Sequence, residues 1–159
     1  MDLLDLPRGR GTAVVLALAL AITCWRGHSV DHAQRGRVVV TDTETTILDV
    51  VRFEPGTATL CHSSRATLDA VAATLHGNPS IELVEVQSHT AGIGDAAANQ
   101  TLSDRRAAVV LKYLVDAGVE PSRLVAQGYG DTQPLDRAAP AKNERMSFLI
   151  LRRSPDPGG

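Results

Sequence analysis

The sequence predicts an α/β fold: a two-layer sandwich of two main helices on a mixed sheet of four or five strands. Three observations predict it. Short β-branched runs alternate with longer segments of helical period, the breakers Gly, Asn and Pro fall at the changeovers, and no internal repeat is present.

The elements follow in order. RVVV (37–40) and TILDVVRF (46–53) are β-branched and are separated by TDTET, which predicts a hairpin or two successive strands ended by Pro55 and Gly56. From Thr59 the period changes. Leu68, Val71, Ala72 and Leu75 recur at helical spacing, Cys61 and Ser64 extend the stripe, and Gly77-Asn78-Pro79 stops it. IELVEVQSHT (81–90) alternates as a strand, with Ile81, Leu83 and Gln87 on one side and Val84 and Val86 on the other. Gly92 and Gly94 make a turn. Asp95 then caps a second helix whose apolar stripe is Leu102, Val109, Val110, Tyr113, Leu114 and Ala117, closed by Gly118. RLVAQGYG (123–130) is a short strand with GYG read as a tight turn. DTQPLDRAAPAK is a loop, and RMSFLILRR (145–153) is the last strand. The order is β-β-α-β-α-β-loop-β.

Composition narrows the function. The 159 residues carry a net charge of −2 and only 3% aromatics. A nucleic-acid partner is therefore not expected, because it requires a clustered basic face or stacking rings. The five histidines are scattered and the two cysteines, Cys24 and Cys61, are far apart, so no metal site is expected. Residues 12–23, TAVVLALALAIT, follow Arg8 and Arg10 and suit a signal-peptide apolar region better than the ~20-residue span of a bilayer. Residues 1–24 are accordingly read as a signal peptide or short membrane anchor. Residues 25–36 form a tether, 37–153 one domain and 154–159 a disordered tail. Cys24 directly follows the apolar run, where a lipidated cysteine would stand, although Thr23 before it fits that signal poorly. The two cysteines pair only if the N-terminal segment stays attached and folds back.

One residue breaks the pattern of the second helix. Arg106 stands four residues after Leu102 and three before Val109, beside the apolar stripe, while its neighbour Arg105 faces solvent. A half-buried guanidinium needs acceptors, and its planar fork matches a carboxylate. Two readings stay open. Arg106 receives a carboxylate-bearing ligand near the strand-to-helix turn at 90–95, or it is satisfied internally by Asp104, Glu144 or Asp131. Ser103, His89 and Asp95 do not form a recognisable nucleophile-base-orienter set, so no enzyme and no cofactor are expected. Cys61 reads as a small core residue.

Five blocks, taken together, carry a family resemblance: VRFEPGTATL (51–60), SHT (88–90), NQTLSDRRA (99–107), GVEPSRLVAQGYG (118–130) and NERM (143–146). In this order the chain resembles the OmpA-like peptidoglycan-binding domains of bacterial envelope proteins and lipoproteins. The resemblance implies a β-α-β-α-β-β fold, export to the periplasm in association with the outer membrane, and non-catalytic binding of the diaminopimelate of peptidoglycan stem peptides. It implies partners in peptidoglycan and, through the N-terminal segment, the outer or inner membrane. It also implies a site. Arg106 matches the arginine that holds the ligand carboxylate, Asn99 leads the same block, and Arg145 matches the second arginine of the family's NRRV; Thr90 and Leu102 belong with them. Two positions depart. Ala91 stands where the family aspartate of GHTD holds the ligand ammonium, and Glu144 replaces the first arginine of NRRV. A charged hydrogen bond contributes about 1.5–3 kcal/mol, so its loss at Ala91 implies binding weaker by roughly tenfold to a hundredfold. The alternative is a degenerate scaffold or protein-interaction domain that keeps the fold without the ligand.

Overall fold

The computed structural model describes residues 38–40, 44–47 and 51–155. The segment 1–24 with Cys24, the tether 25–36 and the last residues 156–159 lie outside the described residues. Strands β1 (Val38–Val40), β2 (Glu44–Ile47), β3 (Ile81–His89), β4 (Leu124–Gly130) and β5 (Arg145–Arg153) form one sheet in the order β1-β2-β5-β3-β4. Helix α1 (Ser64–Gly77) lies between β2 and β3 in the chain, and α2 (Ala96–Asp116) connects β3 to β4. The β3–β4 pair is parallel, as a strand-helix-strand crossover requires; the other pairs are antiparallel.

One buried cluster joins the layers. It contains Leu68, Val71, Ala72 and Leu75 of α1, Val110 and Leu114 of α2, Val84 and Val86 of β3, and Phe148 of β5. Both helices therefore lie on one face of the sheet. The opposite face is not covered as a second apolar layer: Glu85 accepts from Tyr129 Oη at 2.7 Å, Gln87 from Ser147 Oγ at 2.9 Å, and Glu82 from Arg152 Nε at 2.7 Å. The strict alternation expected for β3 also fails at its start. Register shifts at Ile81/Leu83 and Leu83/Val84 turn Ile81 to the same buried side as Val84 and Val86.

Of the expected strand 46–53, β2 holds Thr46 and Ile47, residues 48–50 lie outside the described residues, and 51–53 are not part of a strand. Phe53 makes only an isolated bridge to Leu60, inside a loop with Gly56 at φ 68°. Asp95 caps α2 as expected, its Oδ2 accepting from Ala98 N at 2.8 Å. At the other end Gly118 N–H bonds Val115 O and Val119 N–H bonds Leu114 O, with Gly118 at φ 94°. This is a Schellman closure, which demands a left-handed residue and buries Val119 against the last turn.

The face that α2 buries differs from the expected stripe. Asn99, Ser103, Arg106, Ala107, Val110 and Leu114 are buried, whereas Leu102, Val109 and Tyr113 are half-buried and Ala117 is exposed. The reason lies in β4. GYG is not a tight turn but the end of that strand, and Gly128 lets the α2 backbone approach so closely that no Cβ fits between them. Ser103 fills the contact instead, accepting from Gly130 N at 2.9 Å and donating to Gln100 O at 2.8 Å. Small and polar residues thus occupy the buried face where a larger apolar residue would collide.

Candidate functional site

Arg106 lies on this inward face, nearly three turns into α2, and only 2% of its surface is exposed. Its Nε donates to Thr57 O at 2.8 Å and its Nη1 to Glu144 Oε1 at 2.7 Å. The guanidinium carbon stands 4.9 Å from the centre of the Phe53 ring. The internal partner is therefore Glu144 of the three carboxylates considered. Gln100 Nε2 bonds Asp104 at 3.0 Å, away from this pair.

The ion pair does not seal the site. The Glu144 side chain is 51% exposed, and beside it opens a cleft of about 380 Å³. Its walls come from the loop at Phe53, Pro55 and Gly56, from Ser88 and His89 at the end of β3, from Arg106, and from Glu144, Arg145 and Met146 leading into β5. Two of the expected site residues, Arg106 and Arg145, meet there. Arg145 holds the rim by donating to Asn143 O at 3.3 Å and Gln133 O at 3.2 Å. Asn99, Thr90 and Leu102 do not line the cleft. Asn99 is buried and donates to Ile93 O at 3.3 Å, which fixes the turn before α2. Thr90 is buried with its N–H on Gly130 O at 2.8 Å, and Leu102 is half-buried on α2. Ala91 is half-buried and is likewise absent from the walls.

Sequence reasoning missed Phe53 as the aromatic shelf beneath the guanidinium and Ser88 and His89 as cleft walls. The signal for Phe53 lies in VRFEPG, where an aromatic before Pro and Gly is as consistent with a strand end as with a shelf over a charge. Cys61, also on the wall, is buried, as a small core residue should be.

His89 is buried and stacked on Tyr129, with ring centroids 5.1 Å apart and planes 9° from parallel. Burial, and then the charge of Arg145, lower its pKa from 6.5 to about 4. The ring is neutral at pH 7. In the unfolded chain it takes up a proton near pH 6.5, whereas the folded chain resists until about pH 4. Stability is therefore lost as pH falls through that window and levels off below it. Relative to His89→Gln, the parent chain should lose on the order of 3 kcal/mol between pH 7.5 and pH 4 in urea unfolding. Equal slopes for the two proteins would refute this assignment. Carboxylate protonation is common to both and cancels.

Among the described residues, no group of three His, Cys, Asp or Glu side chains is placed to hold a metal ion. No helix there is long and apolar enough to cross a membrane.

The fold and the cleft define a small sandwich module with an arginine anchored beside an open groove. Residues 52–146 match the family described as the OmpA family, and the chain belongs to it. It is 52% identical over 71 residues to outer membrane porin F of Pseudomonas fluorescens, covering 42% of this chain and 22% of the porin. It is 36% identical over 103 residues to outer membrane protein A of Bordetella avium, covering 62% of this chain and 53% of that protein. The chain thus spans about half or less of these relatives. Among solved structures, the periplasmic domain of Helicobacter pylori MotB shares the fold at a TM-score of 0.61 and 17% identity, covering 75% of this chain and 83% of that one. The peptidoglycan-associated lipoprotein of Burkholderia pseudomallei is similar at a TM-score of 0.54 and 25% identity, covering 63% of this chain and 86% of that one.

Proposed function

We propose that this chain is a non-catalytic module of the cell envelope that binds peptidoglycan through the diaminopimelate of its stem peptides, with reduced affinity because Ala91 replaces the family aspartate. The observation that carries the reading is Arg106. Its Nε and Nη1 are committed, yet its second Nη makes no hydrogen bond among the described residues, at the wall of an open cleft. A carboxylate arriving there meets a guanidinium already oriented by Thr57 and Phe53, so little ordering entropy is lost on binding. Membership of the OmpA family and the name of the Burkholderia relative support the substrate class. Asn99, Thr90 and Leu102 act in this reading by setting the turn and helix behind Arg106, and Arg145 by its charge at the rim.

Incubating the full chain with purified sacculi and pelleting them tests the proposal. The parent chain should co-sediment at low salt, and Ala91→Asp should raise the bound fraction roughly tenfold or more. A parent chain that stays in the supernatant, while Ala91→Asp pellets, would sink binding for the natural sequence. One observation favours the second reading, a scaffold without ligand: Glu144 already occupies one arm of the fork. Export, and membrane attachment through residues 1–24, belong to the same proposal. Mass spectrometry of the mature N-terminus separates a cleaved signal from a retained anchor, and shows whether Cys24 carries lipid or is spent in a disulfide.

A further inference from the structure

We infer that Glu144 takes over the task of the missing aspartate: it receives the ligand's ammonium directly beside Arg106, so that the Arg106–Glu144 pair grips the zwitterionic end of the diaminopimelate side chain. The inference rests on the peptidoglycan-binding reading above and specifies its recognition chemistry.

Four observations lead to it. Glu144 is the one carboxylate on the cleft wall among the described residues, where Arg52, Arg106 and Arg145 supply the cations. The turn that carries Ala91 is not part of that wall, and of the acids beside it Asp95 is spent capping α2 while Asp131, packed against Gly92, is likewise absent from the wall. Glu144 uses Oε1 on Arg106 and is half exposed, so Oε2 remains open to the groove. Arg106 likewise keeps its second Nη, while Thr57 and Phe53 fix the plane of the fork.

An amino-acid terminus carries its ammonium and carboxylate on one carbon, a few ångströms apart. A cation and an anion held side by side at 2.7 Å present the complementary pattern. Carboxylate on Arg106 and ammonium on Glu144 then form a closed ring of four alternating charges. The internal pair need not break for the ligand to enter. A dicarboxylate without the ammonium gains only the arginine half and meets repulsion from Glu144.

The test is co-sedimentation of the full chain with sacculi, competed with free meso-diaminopimelate or with pimelate, which lacks both ammonium groups. The parent chain should be displaced by diaminopimelate at least tenfold more effectively than by pimelate. Glu144→Gln should still fold, since the amide Oε1 keeps an acceptor on the buried Arg106 Nη1, yet lower the bound fraction tenfold or more and erase the preference. Glu144→Asp, which keeps the carboxylate on the same wall, should retain the preference for diaminopimelate. If Glu144→Gln binds sacculi as well as or better than the parent, Glu144 is an internal plug. The inference then falls while the peptidoglycan reading stands. If neither protein sediments, the reading itself fails and takes the inference with it.

Discussion

Replacing Gly128 by alanine is expected to destabilise the domain by about 3 kcal/mol or more. An ideal Cβ at this position would overlap the Asp104 backbone nitrogen, Asp104 Oδ1 and Ser103 Oγ. The Asp104 nitrogen cannot rotate aside, so α2 would have to lift from β4 along its length. That movement would break the Ser103–Gly130 hydrogen bond and tilt Arg106 out of the cleft wall. Thermal unfolding followed by circular dichroism should show a midpoint lower by roughly 10 °C or more. Gly77→Ala is the control. Nothing lies within 4 Å of its would-be Cβ, and it ends α1 without positive φ. It should leave stability unchanged or raise it slightly. A Gly128→Ala protein as stable as the Gly77→Ala protein would show that the helix and strand are not in the close contact described.

Arg106→Ala carries the second large effect, and it acts on two readouts at once. The substitution removes the hydrogen bond to Thr57 O, the ion pair to Glu144 and the contact with the Phe53 ring. Glu144 is half solvated and tolerates the loss of its partner, so the cost falls mainly on the loop at 53–57 and on the void left under it. About 2–4 kcal/mol of stability should disappear in urea unfolding. Sacculus association should be abolished at temperatures where the variant is still folded. Arg106→Lys separates the two roles. It keeps one charge and part of the packing but cannot reach Thr57 and Glu144 together while presenting a free arm. Stability should recover by about half, and binding should remain below a tenth of the parent value. Full sacculus association by a folded Arg106→Ala chain would remove Arg106 from the site.

Much of this architecture is legible in the residues. Leu68, Val71, Ala72 and Leu75 mark the inner face of α1 by period alone, and Asp95 and Gly118 mark the ends of α2 by their capping chemistry. The inner face of α2 was not legible in the same way. Its contact with β4 is built from Ser103, the backbone at Asp104 and Gly128, and hydrophobicity does not score small or polar residues as core even where they bring two backbones together. The site was half legible. Arg106 announced itself as a charge beside an apolar stripe, and Glu144 stood among its candidate partners. The choice between Glu144, Asp104 and Asp131 depends on how the segment before β5 folds over the loop at Phe53, and no local pattern encodes that crossing. His89 shows the same limit: its neighbour Tyr129 lies 40 positions away, and the stack exists only because β3 and β4 run parallel.

The position of β5 has a consequence for how the chain comes together. The hairpin of β1 and β2 borders the rest of the sheet only through Arg145–Arg153, so the two halves of the molecule have no shared edge until the final strand slides between them. Closing the five-stranded sheet therefore waits on β5, whose partners on both sides lie far from it in sequence, so the step is non-local and slow beside helix formation.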